Sequence, residues 1–200
     1  FGVTRERMRQ LETKARTLLQ AHLDSSMLGG LMKTVRARVD GVSTLESLLH
    51  EMPSLRANVP TLNQPVWRVF DRLDKSYEID RGWCAEPPLS SAIEATRDAI
   101  SRFDTASLPT LPQVAAALEN VNLPAERLAD WLIECGYATW SSHVLVHGDG
   151  IRERARAILQ TAGEPLPATE IHSQLGVDRS LTAVKNALAA GAPHLFMRVD

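Results

Sequence analysis

LPAERLADWLIECGYATWSSHVLV, residues 123–146, is the stretch on which the architecture turns. Leu128, Trp131 and Leu132 recur at helical spacing and mark the core side of a helix over Leu123–Cys135. Gly136 is its stop. Ala138–Val146 then reads as a two-stranded wing folded around Ser141-Ser142. The same order returns on both sides of this stretch. A helix near Gln64–Leu73 leads to Tyr77–Cys84, an apolar–polar alternation that suits a strand, and a helix over Arg179–Ala189 leads to a strand beginning in His194–Asp200. The strand starts at 77, 138 and 194 lie 61 and 56 residues apart, a spacing that indicates tandem modules.

Helix, helix, helix, strand is the order of a winged helix. The expected fold class is therefore mainly α with short β wings, arranged as tandem helix-turn-helix and winged-helix units. Four segments are expected: 1–40 with two helices, winged-helix-like units over 41–87 and 88–150, and a last winged helix over 151–200. In the first segment Thr4 caps a helix running to about His22, with Met8, Leu11, Ala15, Leu18 and Leu19 as its apolar stripe. A second helix covers Leu28–Val39, weakened at its start by Gly29 and Gly30. Ser43 with Glu46, and Ser91 with Glu94, read as capping boxes that open further helices through Met52 and Phe103. Pro109 and Pro112 bracket the loop before Gln113–Glu119. The last unit has helices at Ile151–Thr161, Pro167–Leu175 and Arg179–Ala189, with Asp178 as a cap and Gly191 as a stop.

Composition excludes several classes. Hydrophobic residues make up 44% of the chain and aromatics 5%, ordinary for small helical units. No stretch reaches the roughly 18 apolar residues of a membrane span, and no basic-then-apolar leader opens the chain. Cys84 and Cys135 form no paired metal or redox spacing and read as buried thiols of a reducing compartment, so a cytoplasmic, nucleoid-associated location is expected. The chain opens at Phe1 and closes on what reads as half a hairpin, and it is expected to be a piece of a longer protein. The net charge of −2 conceals a polar distribution. Residues 1–40 carry a surplus of four positive charges and residues 151–200 a surplus of one, while the middle is acidic. Phosphate attraction supplies most non-specific DNA affinity, so contact is expected at the two ends. The middle units, with Glu126, Asp130 and Glu134 on one helix, read as spacers or protein-binding surfaces.

The run Gly2-Val3-Thr4-Arg5-Glu6-Arg7-Met8-Arg9-Gln10-Leu11-Glu12-Thr13-Lys14-Ala15 closely resembles the recognition helix of region 4 in sigma-70 family transcription factors. In that family the helix is the second half of a helix-turn-helix that reads a promoter element in the major groove. The resemblance covers about the first 20 residues. It implies that Arg5, Glu6 and Gln10 read bases, with Arg9 close by, and that Arg7 and Lys14 serve phosphates or protein partners. Hydrogen-bond chemistry supports the same roles. Arg donates twice to guanine, Glu accepts from cytosine and Gln bridges adenine.

Ile151–Asp200 resembles, more loosely, the HARE-type winged helix. The residues that carry this are Arg152 through Leu159, then Gly163 through Ile171, then Phe196-Met197-Arg198-Val199. Its third helix is expected to present Arg179, Ser180, Thr182, Lys185 and Asn186 to DNA.

Catalytic and metal signatures are missing from the sequence. There is no Gly-Lys-Ser/Thr phosphate loop, Gly-x-Ser-x-Gly elbow or His-Glu-x-x-His helix. His143 and His147 would share one face of a strand, without a nearby Cys or carboxylate pair to complete a metal site. Asp71, Asp74, Glu78 and Asp80 read as a solvated acidic turn. No enzyme, metal or cofactor is expected. The expected partner is duplex DNA, read by a sigma-related, transcription-regulating protein. Two alternatives stand beside it: an interaction scaffold docking to RNA polymerase or another subunit, and the DNA-targeting region of a larger defence-type enzyme.

Overall fold

The computed structural model describes residues 4–24, 27–60, 62–103, 107–175, 180–191 and 196. They are mainly helical, with short antiparallel strand pairs. The chain divides into two compact units, Phe1–Ala92 and Ile93–Asp200.

In the first unit, α1 (Arg5–Asp24) and α2 (Met27–Arg38) precede strand β1 (Gly41–Thr44), α3 (Leu45–Glu51) and a short 3-10 turn (Pro53–Arg56). A two-residue ladder of β2 (Asn58–Val59) and β3 (Gln64–Pro65) leads into α4 (Val66–Leu73). The hairpin β4 (Glu78–Asp80) and β5 (Trp83–Glu86) follows, turning on Arg81 and Gly82, both at positive φ. Strand order is β1-β5-β4, all antiparallel, with Ser43 opposite Cys84 and Ile79 also opposite Cys84 from the other side. Helix, strand, two helices and a hairpin whose second strand pairs with the first strand make a winged helix over residues 27–86.

The strand β1 is absent from the sequence expectation, which placed a helix cap at Ser43. Pairing of β1 with β5 holds Ser43 in the ladder, and the cap moves one residue on. Thr44 accepts the Ser47 amide at 3.1 Å.

The core of this unit joins Met32, Val35 and Val39 of α2 and its end to Leu48, Leu55, Phe70, Tyr77 and Cys84. Each large apolar side chain so enclosed contributes about 1.5–3 kcal/mol relative to exposure. The expected division after residue 40 therefore passes between Val39 and Val42, both buried side chains of one winged helix.

The second unit repeats the order. α5 (Leu89–Ser101) contains the junction of the two units and starts two residues before Ser91, which lies inside its first turn rather than capping it. Thr110 then bridges to His143, and its side chain forms a full capping box with Gln113 at the start of α6 (Leu111–Ala117). The helix expected from Leu123 is a 3-10 turn (Ala125–Arg127) after Pro124, continued by α7 (Leu128–Glu134). Leu128, Trp131 and Leu132 are buried in it, as expected, and Gly136 follows at φ 91°. The wing is β6 (Ala138–Trp140) and β7 (His143–Leu145), turning on Ser141-Ser142. The bridge places Thr110 beside β7, on the side opposite β6, so the first unit's strand order is reproduced with its first strand reduced to one bridge.

α8 (Ile151–Ala162), α9 (Ala168–Leu175) and α10 (Leu181–Gly191) complete this unit around Ala155, Ile158, Ile171, Leu175 and Val184. Phe196 packs against that core. The rest of the expected strand at His194–Asp200 lies outside the described residues, as does the expected cap Asp178. Ser180 caps α10 instead, accepting the Ala183 amide at 3.2 Å. Ala157 of α8 shares a buried cluster with Leu108 and Leu145, so packing continues across the expected division after residue 150.

Candidate nucleic-acid interface

The N-terminal half of α1 is a free-standing charged surface. Thr4 accepts the Arg7 amide at 3.3 Å, an N-cap that satisfies one of the helix's open donors. Arg5, Glu6, Arg7, Arg9, Gln10 and Lys14 are all exposed. Helical spacing puts Arg5, Glu6, Arg9 and Gln10 on one side. Glu6 accepts two bonds from Arg9, at 3.0 and 3.1 Å, and one from Gln10 at 3.1 Å. The Arg9 guanidinium, with help from Gln10, holds the Glu6 carboxyl below the usual carboxylate range. Two of the three expected base readers, Glu6 and Gln10, are thus joined, together with the neighbouring Arg9, before any ligand arrives. On the opposite side Met8, Leu11, Leu18 and Leu19 are 45–63% exposed, so the apolar stripe read in the sequence is not turned into a core.

In the last helical trio Thr182, Lys185 and Asn186 are exposed along α10, on the side away from Val184 and the core, and Ser180 is exposed at its N-cap. Arg179 lies outside the described residues. The basic first helix of this trio behaves differently from the sequence pattern. Arg152 is exposed, but Arg154 forks onto the Asp149 carboxylate and lies 4.4 Å over the Trp140 ring. Arg156 is buried with Glu153 at 2.9 Å. Two of the three arginines are therefore structural.

The middle segments hold a surface that charge counting overlooked. In the first winged helix α4 occupies the position before the wing and presents Arg68 and Arg72, both exposed, one turn apart. Gln64 accepts from Arg68 at 3.2 Å. The spacing Gln64, Arg68, Arg72 was visible in the sequence, but the acidic residues around it masked the pattern. Glu78 and Asp80 are exposed, as a solvated turn requires, but Asp74 is buried and Asp71 half-buried, and they act as anchors. Asp74 is buried, its carboxylate taken by the Arg36 guanidinium and by the Ser76 amide and hydroxyl. Burial pushes its pKa up, but these partners outweigh burial and hold the carboxyl below its ordinary range. Asp71 accepts the Ile79 amide, Glu78 the Leu89 amide, and Asp80 pairs with Arg81. In the second unit the equivalent helix α7 instead exposes Asp130, paired with Arg127 at 3.5 Å.

Both cysteines are buried free thiols. Burial, aided by the Asp71 charge, pushes Cys84 up to about 12. Burial likewise takes Cys135 to about 11, against the opposing pull of Thr96 and Arg97. His143 and His147 do not share a face. His143 is buried in β7, while His147 lies beyond the strand and is exposed. Among the described residues no group of three or more His, Cys, Asp or Glu is placed to hold a metal ion, and no helix is long and apolar enough to cross a membrane. No protein-family model matches the chain, and no curated protein or solved structure matches it.

Proposed function

We propose that this chain is a DNA-binding, transcription-regulating protein related to sigma factors, cytoplasmic and nucleoid-associated, that reads duplex DNA through α1. The observation that carries this reading is the exposed side of α1, where Arg5, Glu6, Arg9 and Gln10 stand together on a helix capped by Thr4. A helix of that kind presents donors and acceptors matched to base edges at its N-terminal end. The exposed Ser180, Thr182, Lys185 and Asn186 of α10 supply a second surface suited to phosphate or base contacts.

The test is a salt series of duplex binding over a pool of sequences, with Arg5→Ala/Gln10→Ala beside the unchanged chain. Selective binding that falls steeply with salt, and a variant that binds but no longer discriminates, is the expected result. Equal discrimination by the variant would remove α1 from the reading role.

A second reading, an interaction scaffold docking to RNA polymerase or another subunit, is favoured by one observation. The exposed Met8, Leu11, Leu18 and Leu19 make the other side of α1 suited to a protein partner. Absence of duplex binding at low salt would move the function to that side.

A further inference from the structure

A groove of about 610 Å³ opens between the C-terminal half of α1 and the turn after α4. Arg16 and Thr17 line it from α1, Arg36 from α2, and Asp74, Lys75 and Ser76 from the turn. Asp74 is the acidic residue among those lining it, and its two oxygens are occupied by Arg36 and Ser76. The remaining charge of the groove is positive. Arg16 and Lys75 are exposed at its rim.

The groove is continuous with the charged side of α1. Arg5, Arg9 and Arg16 follow one another at spacings of four and seven residues, which places them on one stripe of the helix. At 1.5 Å per residue, Arg16 lies about 16 Å along the axis from Arg5. The N-terminal residues of a recognition helix are the ones that meet base edges, so with Arg5 over them Arg16 is left for the bordering backbone, and Lys75 lines the same groove.

We infer that this groove is a phosphodiester clamp, in which Arg16 and Lys75 hold the backbone of the duplex that α1 reads. The inference rests on the DNA-binding reading and adds to it a sequence-independent site, contributed jointly by α1 and the first winged helix.

The experiment measures duplex affinity against salt for the full chain, for Arg16→Gln/Lys75→Gln, and for Arg16→Lys/Lys75→Arg. Each lost phosphate contact lowers the slope of log K against log salt by about 0.9, so the glutamine pair is expected to lose about 1.8 from the slope and about 30-fold in affinity at 0.15 M salt. The loss is expected to be equal for preferred and random duplexes, and the charge-preserving pair is expected to keep the slope. Both side chains are exposed, so an unchanged melting temperature separates this loss from unfolding. If the chain binds DNA and the glutamine pair keeps its slope, the clamp is wrong while the reading by α1 stands. If the unchanged chain binds no duplex at low salt, the reading itself fails and the clamp with it. A loss confined to one sequence would also overturn the backbone assignment.

Discussion

At the scale of single residues, the second unit holds a histidine with an unusual position. His143 is buried in β7 and its Nδ1 has no hydrogen-bond partner. Burial disfavours the imidazolium and lowers its pKa. The unfolded chain, with an ordinary pKa of about 6.5, takes up the proton first as pH falls. Stability from this site is therefore full above about pH 6.5 and is lost as pH falls from there toward the lowered folded value. Urea denaturation at pH 7.5 and pH 5.5 is expected to show this loss, and His143→Gln is expected to shrink the difference. An equal pH dependence in the variant would place the effect elsewhere. The cysteines follow the same logic in the opposite sense. Their thiols are raised far above neutrality by burial, which fits the sequence reading of inert core residues.

At the scale of elements, the capping residue of α3 separates what the sequence reveals from what pairing decides. Thr44→Ala is expected to cost about 1 kcal/mol, the usual worth of an N-cap, and Ser43→Ala within about 0.5 kcal/mol. Denaturation midpoints of the two variants check this, and the reverse order would restore Ser43 as the cap. Long periodic helices such as α1, α5 and α8 were legible because their apolar spacing is a local property. The wing around Ser141-Ser142 was legible for the same reason. β1 and the Thr110 bridge were not. Four residues and one residue carry no periodicity, and their extended state exists only because β5 and β7 supply partners. The burial of Asp74 was likewise hidden, since Arg36 lies 38 positions away. Of the expected contact residues, those of α1 and the described ones of α10 are indeed exposed. Arg68 and Arg72 were missed because regional charge was averaged over a turn whose acids are engaged by backbone amides, by Arg36 and by Arg81.

At the scale of the whole molecule, the same strand order appears in both units with different chemistry before the wing: arginines on α4, an acidic surface on α7. Each unit has its own core, and each core is small. Leu55, fully enclosed in the first, is expected to cost about 2–5 kcal/mol on replacement by Ala, a large share of the roughly 5–15 kcal/mol that holds a domain folded. A urea titration read by fluorescence is expected to show an earlier transition, and an unchanged midpoint would mean that the site collapses around the loss. The indoles make such a reading unit-specific. Trp67 and Trp83 belong to the first unit, Trp131 and Trp140 to the second. Trp131 is fully enclosed with its N–H on the Thr96 hydroxyl, while Trp140 lies under the Arg154 cation at the edge of the wing. Their emission should therefore differ in colour and in sensitivity to dissolved quenchers. The protein carries its own optical probes, and a ligand that pulls Arg154 from its ring would announce itself as a change of light without any attached dye.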